Sequence, residues 1–151
     1  MAIAAKYAHT NLIARDWRTL ASFYERVFGC TPVPPERDLA GDAVERGSGV
    51  RGARLQGAHL RLPGCGPDGP TLEIFTYSIL AERQPAAANR PGFGHIAFAV
   101  PDVAEARDAV LAAGGSLHGD IVTTPAGSRT VTWTYVRDPE GNLVELQAWS
   151  A

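Results

Sequence analysis

The chain has 151 residues, 45% of them hydrophobic and 20% charged, with a formal net charge of -2. That length can bury a substantial core in one domain, and the near-neutral balance without a basic run argues against a nucleic-acid partner. No window holds the roughly eighteen consecutive apolar residues of a membrane span, so no membrane partner is expected.

In chain order, Tyr7 to Ala14 alternates as a strand does, and Asp16 is placed to cap the helix that follows. Trp17, Leu20, Ala21, Tyr24, Val27 and Phe28 recur at helical spacing and predict its buried face, and Gly29 predicts its end. Pro32, Pro34 and Pro35 are expected to break regular structure, and 38–50 to hold one short helix before a Gly-rich turn. Arg54 to Leu62 and Thr71 to Ser78 read as strands joined through the Gly- and Pro-rich stretch 63–70. Residues of about 80–91 lack periodicity and read as a linker.

Beyond the linker the order repeats. His95 to Val100 reads as a strand, Asp102 caps a helix to Ala113, and Gly114-Gly115 stops it. Strands follow at about 116–123, 129–136 and 142–149, with Asp138-Pro139-Glu140-Gly141-Asn142 as a turn. The expected fold is α+β: a single domain of two paired βαβββ modules, at about 6–79 and 92–150, curling around a concave cleft.

The duplication extends to chemistry. Asp follows His9 and His95 by seven positions, Gly follows by twenty, and an aromatic follows Glu73 and Glu145 by four. The His-to-Glu gap is 64 in the first copy and 50 in the second, a difference that an insertion at 36–50 accounts for. Strand alternation puts Ile96, Phe98, Val144, Leu146, Leu72 and Ile74 toward the helices and His9, Glu73, His95 and Glu145 on the opposite face. Two His and two Glu facing one cleft would repel and desolvate badly without a cation, so a divalent metal is the simple solution. Such a donor set suits Ni, Co, Zn, Mn or Fe without choosing among them.

Asn11, Phe75, Tyr77, Gln147 and Trp149 share faces with these residues, and Trp133 and Tyr135 share one face of their own strand, so all seven are candidates to wall a substrate pocket, with aromatic core packing an equal reading for Trp133 and Tyr135. His59 could reach the cleft from its strand but is expected to be a surface histidine, as is His118. Cys30 and Cys65 stand in no redox or metal spacing and read as reduced thiols of a cytoplasmic protein. Thirteen of the fourteen basic residues are Arg, a bias that fits a GC-rich bacterial genome.

These segments resemble the vicinal oxygen chelate superfamily, which includes glyoxalase I, methylmalonyl-CoA epimerase, extradiol dioxygenases, and the fosfomycin and bleomycin resistance proteins. The resemblance rests on His9-Thr10-x-Leu12 with Asp16 and Phe23-Tyr24, on Leu72-Glu73, on Gly94-His95-Ile96-Ala97-Phe98, and on Asp138-Pro139-x-Gly141-Asn142-x-x-Glu145-Leu146. It covers nearly the whole chain. It implies His9, Glu73, His95 and Glu145 as ligands of one divalent metal, open to a substrate with two neighbouring oxygens.

A Glu at position 73 is similar to glyoxalase I, whereas methylmalonyl-CoA epimerases usually carry Gln there. Glyoxalase I commonly has an Arg four residues after the first His for a glutathione carboxylate, and this chain has Ile13, which argues against glutathione. The leading expectation is a lyase or isomerase of the glyoxalase I or epimerase type, moving a proton next to a carbonyl with Glu73 or Glu145 as base. An Fe(II)-dependent extradiol-type dioxygenase using His9, His95 and Glu145 is the second. A non-catalytic protein binding a small aromatic molecule is the third. A homodimer is expected from the resemblance alone.

Overall fold

The computed structural model describes all 151 residues, Met1–Ala151. The chain divides into two compact units, Met1–Glu82 and Arg83–Ala151, with the boundary inside the expected linker. The first unit runs β1 (His9–Ile13), α1 (Trp17–Phe28), β2 (Thr31–Ala40), α2 (Asp42–Ser48), β3 (Arg54–Arg61) and β4 (Thr71–Tyr77). The second runs β5 (Ile96–Ala99), α3 (Val103–Ala112), β6 (Ser116–Leu117), β7 (Val122–Ala126), β8 (Arg129–Arg137) and β9 (Leu143–Trp149). Each is an α+β unit with one mixed sheet.

The two sheets share one plan. In the first, the strand order is β1-β4-β3-β2, with β1 and β4 parallel and the other pairs antiparallel. In the second, β5 lies parallel to β9, β9 pairs antiparallel with β8, and both β6 and β7 pair with β8. The last strand of each unit thus lies beside its first, which sets the repeated offsets of the two copies in matching places on two sheets.

Helix α1 starts where the Asp16 carboxylate accepts the backbone N–H groups of Arg18 and Thr19, and it ends on Gly29 at φ 69°. Those bonds hold the Asp16 carboxyl below its usual range, the Thr19 hydroxyl foremost. Leu20, Ala21, Phe23 and Tyr24 form its buried face, packed on β3 and β4. Phe23 was not on the expected stripe. Its ring meets both Tyr24 and Phe28 edge-on, at 5.2 and 6.0 Å between centroids, and closes an aromatic cluster at the sheet.

Two readings need correction. The prolines at 32, 34 and 35 do not end regular structure: they lie within β2, at the edge of the sheet. An edge strand leaves one row of backbone groups unpaired, so missing N–H groups are tolerated there, and the pairing with β3 slips between Val33 and Arg37 where two of them stand. The segment 116–123 is likewise two short strands, β6 and β7, separated by Gly119 and Asp120 among other residues. No helix is long and apolar enough to cross a membrane.

Candidate functional site

In β4 the alternation is decisive. Leu72 and Ile74 are fully buried on the helix side, so Glu73, Phe75 and Tyr77 project from the other face. Parallel pairing sets Asn11 of β1 beside Glu73, and antiparallel pairing sets His59 of β3 directly across from it. Glu73 is consequently gripped from three directions. His9 Nε2 lies 3.3 Å from Glu73 Oε2, Asn11 Nδ2 donates to the same oxygen at 3.3 Å, and His59 Nε2 lies 3.0 Å from Oε1.

The His59 imidazole is held below its ordinary pKa, first by burial and then by the charges of Arg37 and His9, against the upward pull of Glu73. Phe75 is buried beside this group, its ring 5.8 Å from that of His59. Gly57 makes room for Phe75: a Cβ there would lie 2.2 Å from the Phe75 ring and 2.0 Å from the Ile74 carbonyl oxygen. At the far end of the same strands, Ile13 and Tyr77 join Val50, Ile79, Leu80 and Ala81 in lining an apolar groove.

The second unit holds its pair differently. His95 stands immediately before β5, and its Nε2 lies 2.8 Å from Glu145 Oε2. Val144 and Leu146 are fully buried on the helix side, which turns Glu145, Gln147 and Trp149 to the other face. Across β8, Tyr135 pairs with Glu145 and Trp133 with Gln147. The Tyr135 ring lies 4.8 Å from His95, 5.3 Å from Trp133 and 6.4 Å from His118, so one face carries a run of rings. Trp133 Nε1 donates to Thr124 Oγ1 at 3.3 Å, and Trp149 Nε1 donates to Gln147 Oε1 at 3.0 Å.

The β8–β9 turn keeps this register. Asp138 is 2% exposed, and its Oδ1 accepts the backbone N–H groups of Glu140 and Asn142 at 2.9 Å each. Its Oδ2 accepts Asn142 Nδ2 at 2.7 Å, and Gly141 supplies the positive φ of 84° that closes the turn.

The first unit thus brings together His9, Asn11 and Glu73, with Phe75 beside them and Tyr77 in the apolar groove. The second brings together His95, Glu145, Tyr135, Trp133, Gln147 and Trp149. His59, read as a surface histidine, is instead a direct partner of Glu73. Its signal lay in the hairpin: counted back from the 63–70 turn, the antiparallel register sets position 59 opposite 73. No group of three or more His, Cys, Asp or Glu side chains is gathered in an arrangement ready to hold a metal. Around Glu73 the two histidines divide between its two oxygens instead of converging on one point.

The family profile described as Glyoxalase/Bleomycin resistance protein/Dioxygenase superfamily matches residues 6–146. The chain belongs to this superfamily. Solved structures agree on the fold. A glyoxalase family protein from Bacillus cereus, 18% identical, superposes with a TM-score of 0.82 over 99% of this chain and 97% of its own. A glyoxalase family protein from Enterococcus faecalis, 20% identical, gives 0.61 over 94% and 96%. A genomically encoded fosfomycin resistance protein from Listeria monocytogenes, 17% identical, gives 0.57 over 99% and 94%. No curated protein matches the sequence.

Divalent metals are common in the superfamily, and each unit's His–Glu pair offers the nitrogen and oxygen donors such ions take. His–carboxylate N–O separations of 3.3 Å for His9 and Glu73 and 2.8 Å for His95 and Glu145 suit neighbouring ligands of an ion with bonds of about 2.0–2.2 Å.

Proposed function

We propose that this superfamily member is a divalent-metal-dependent lyase or isomerase that moves a proton next to a carbonyl on a small oxygenated substrate. In the first unit His9 and Glu73 would serve as metal ligands, and in the second His95 and Glu145 would. A bound divalent ion would supply Lewis-acid stabilisation of negative charge developing on the substrate's carbonyl oxygen.

The observation that carries the reading is the unequal grip on the two carboxylates. Glu73 meets three side chains, His9, Asn11 and His59, whereas Glu145 meets only His95. A general base must leave its resting contacts and reach a C–H, so Glu145 is the base and Glu73 the fixed group. Tyr135 lies across from Glu145 and its ring meets that of Trp133, which together offer a flat apolar wall for the substrate. Ile13 sits in an apolar groove where a glutathione carboxylate would find no cation, so the substrate carries an apolar end instead.

The test uses 2-hydroxyacetophenone, which has adjacent oxygens, an acidic C–H and an apolar ring. Protein loaded in turn with Ni, Co, Zn, Mn and Fe(II) is incubated with it in deuterium oxide, and exchange at the carbon beside the carbonyl is followed by proton NMR. The expected result is exchange by the wild type that Glu145→Gln abolishes. Absence of exchange with every metal, or full exchange by Glu145→Gln, overturns the assignment.

The engagement of Glu73 also favours a second reading, an Fe(II)-dependent oxygenase in which Glu73 stays with His59 and Asn11 and ligates no metal. Oxygen uptake with catechol after anaerobic Fe(II) loading would establish that activity, and its absence would remove it.

A further inference from the structure

We propose that His59 is a positioning residue for Glu73: its Nε2 lies 3.0 Å from Oε1 and so turns Oε2 toward His9. The inference deepens the metal reading above and rests on it.

Three observations converge on the role. His59 is fixed by backbone register, since β3 and β4 place it directly opposite Glu73. Its side chain is 22% exposed and its ring is wedged between those of His9, 6.4 Å away, and Phe75, 5.8 Å away, so it has little freedom to swing out. The other unit supplies an internal control. Tyr135 occupies the matching place opposite Glu145, yet it stacks near the His95 ring and makes no hydrogen bond to the carboxylate. The two units therefore share a His–Glu pair, and only the first adds a third polar side chain in close contact with the carboxylate from the neighbouring strand.

A carboxylate with one oxygen anchored presents the other in a single orientation, which favours ligation and disfavours departure. Outer hydrogen-bond partners of this kind typically change metal affinity about 10- to 100-fold when removed.

The experiment compares His59→Phe, which keeps a ring of similar volume without a donor, with His59→Gln, which keeps an N–H donor without a ring. Co(II) affinity is measured by calorimetry, and the visible Co(II) absorption is recorded, with thermal melts confirming that both variants fold. The expected result is Co(II) binding about 10- to 100-fold weaker and an altered spectrum in His59→Phe, with His59→Gln within about threefold of the wild type. Wild-type affinity in His59→Phe overturns the role, because packing alone would then suffice. Equal, severe loss in both variants also overturns it, by making the imidazole itself a ligand. A wild type that takes up no Co(II) overturns the metal reading and the role of His59 with it.

Discussion

The β8–β9 turn gives the sharpest stability prediction, because one buried carboxylate serves three donors. Asp138 accepts from Glu140 N and Asn142 N at 2.9 Å and from Asn142 Nδ2 at 2.7 Å. Hydrogen bonds to a charged group contribute about 1.5–3 kcal/mol each, so simple addition for Asp138→Ala would exceed ~4 kcal/mol. Glu140 and Asn142 are only half-buried, and water recovers part of that loss. We expect a net destabilisation of about 3 kcal/mol, or a fall in Tm of about 6–12 °C for a chain of this size. Asp138→Asn keeps an oxygen for the two backbone donors and loses the ionic contact to Asn142 Nδ2, so about 1 kcal/mol is expected. Urea unfolding measures both, with an unchanged m-value marking a pure stability effect. A loss below about 1 kcal/mol in Asp138→Ala would refute the claim that this carboxylate organises the turn.

Gly57→Ala should destabilise the protein by more than about 2 kcal/mol in the same urea assay, because its Cβ meets the Ile74 carbonyl as well as the Phe75 ring and backbone cannot give way. Cys30 is 3% exposed and burial pushes its thiol up to about 11, while Cys65 is exposed. Since the thiolate is the reactive form, Ellman's reagent at pH 8 should titrate one thiol rapidly in native protein and two in denaturant. Asp38 is held down at about 2 by Arg54 and Gln56. Its folded pKa lies below the unfolded value of about 3.9, so its contribution is complete above that value and disappears as pH falls through about 2. Asp38→Asn should accordingly be less stable than the wild type at pH 6, with the difference vanishing only once the pH falls well below about 2.

Much of this architecture was legible because local chemistry and tertiary structure agree. Asp16 and Asp102 cap the two helices as their positions suggested, and Gly29 ends the first in the left-handed region. Period-two alternation around Glu73 and Glu145 correctly separated the helix side from the opposite face. The prolines of β2 misled because the sequence does not say which strand is an edge, and only there does a missing N–H cost little. His59 was obscure for a related reason. Nothing in its neighbours marks it, and its meaning comes from a residue across a hairpin whose register the turn sets. The inequality between Glu73 and Glu145 was hidden as well, since the two copies match at the pair and differ on the third strand.

The central claim is that the His–Glu pairs are metal ligands. Untagged wild-type protein should be stripped, reloaded separately with Ni, Co, Zn, Mn and Fe(II), desalted and analysed for metal beside His9→Ala and His95→Ala. Tightly held metal of at least one of these kinds is expected in the wild type, with less of it in each variant. Wild-type protein that retains none of them, or variants that retain as much as the wild type, would contradict it.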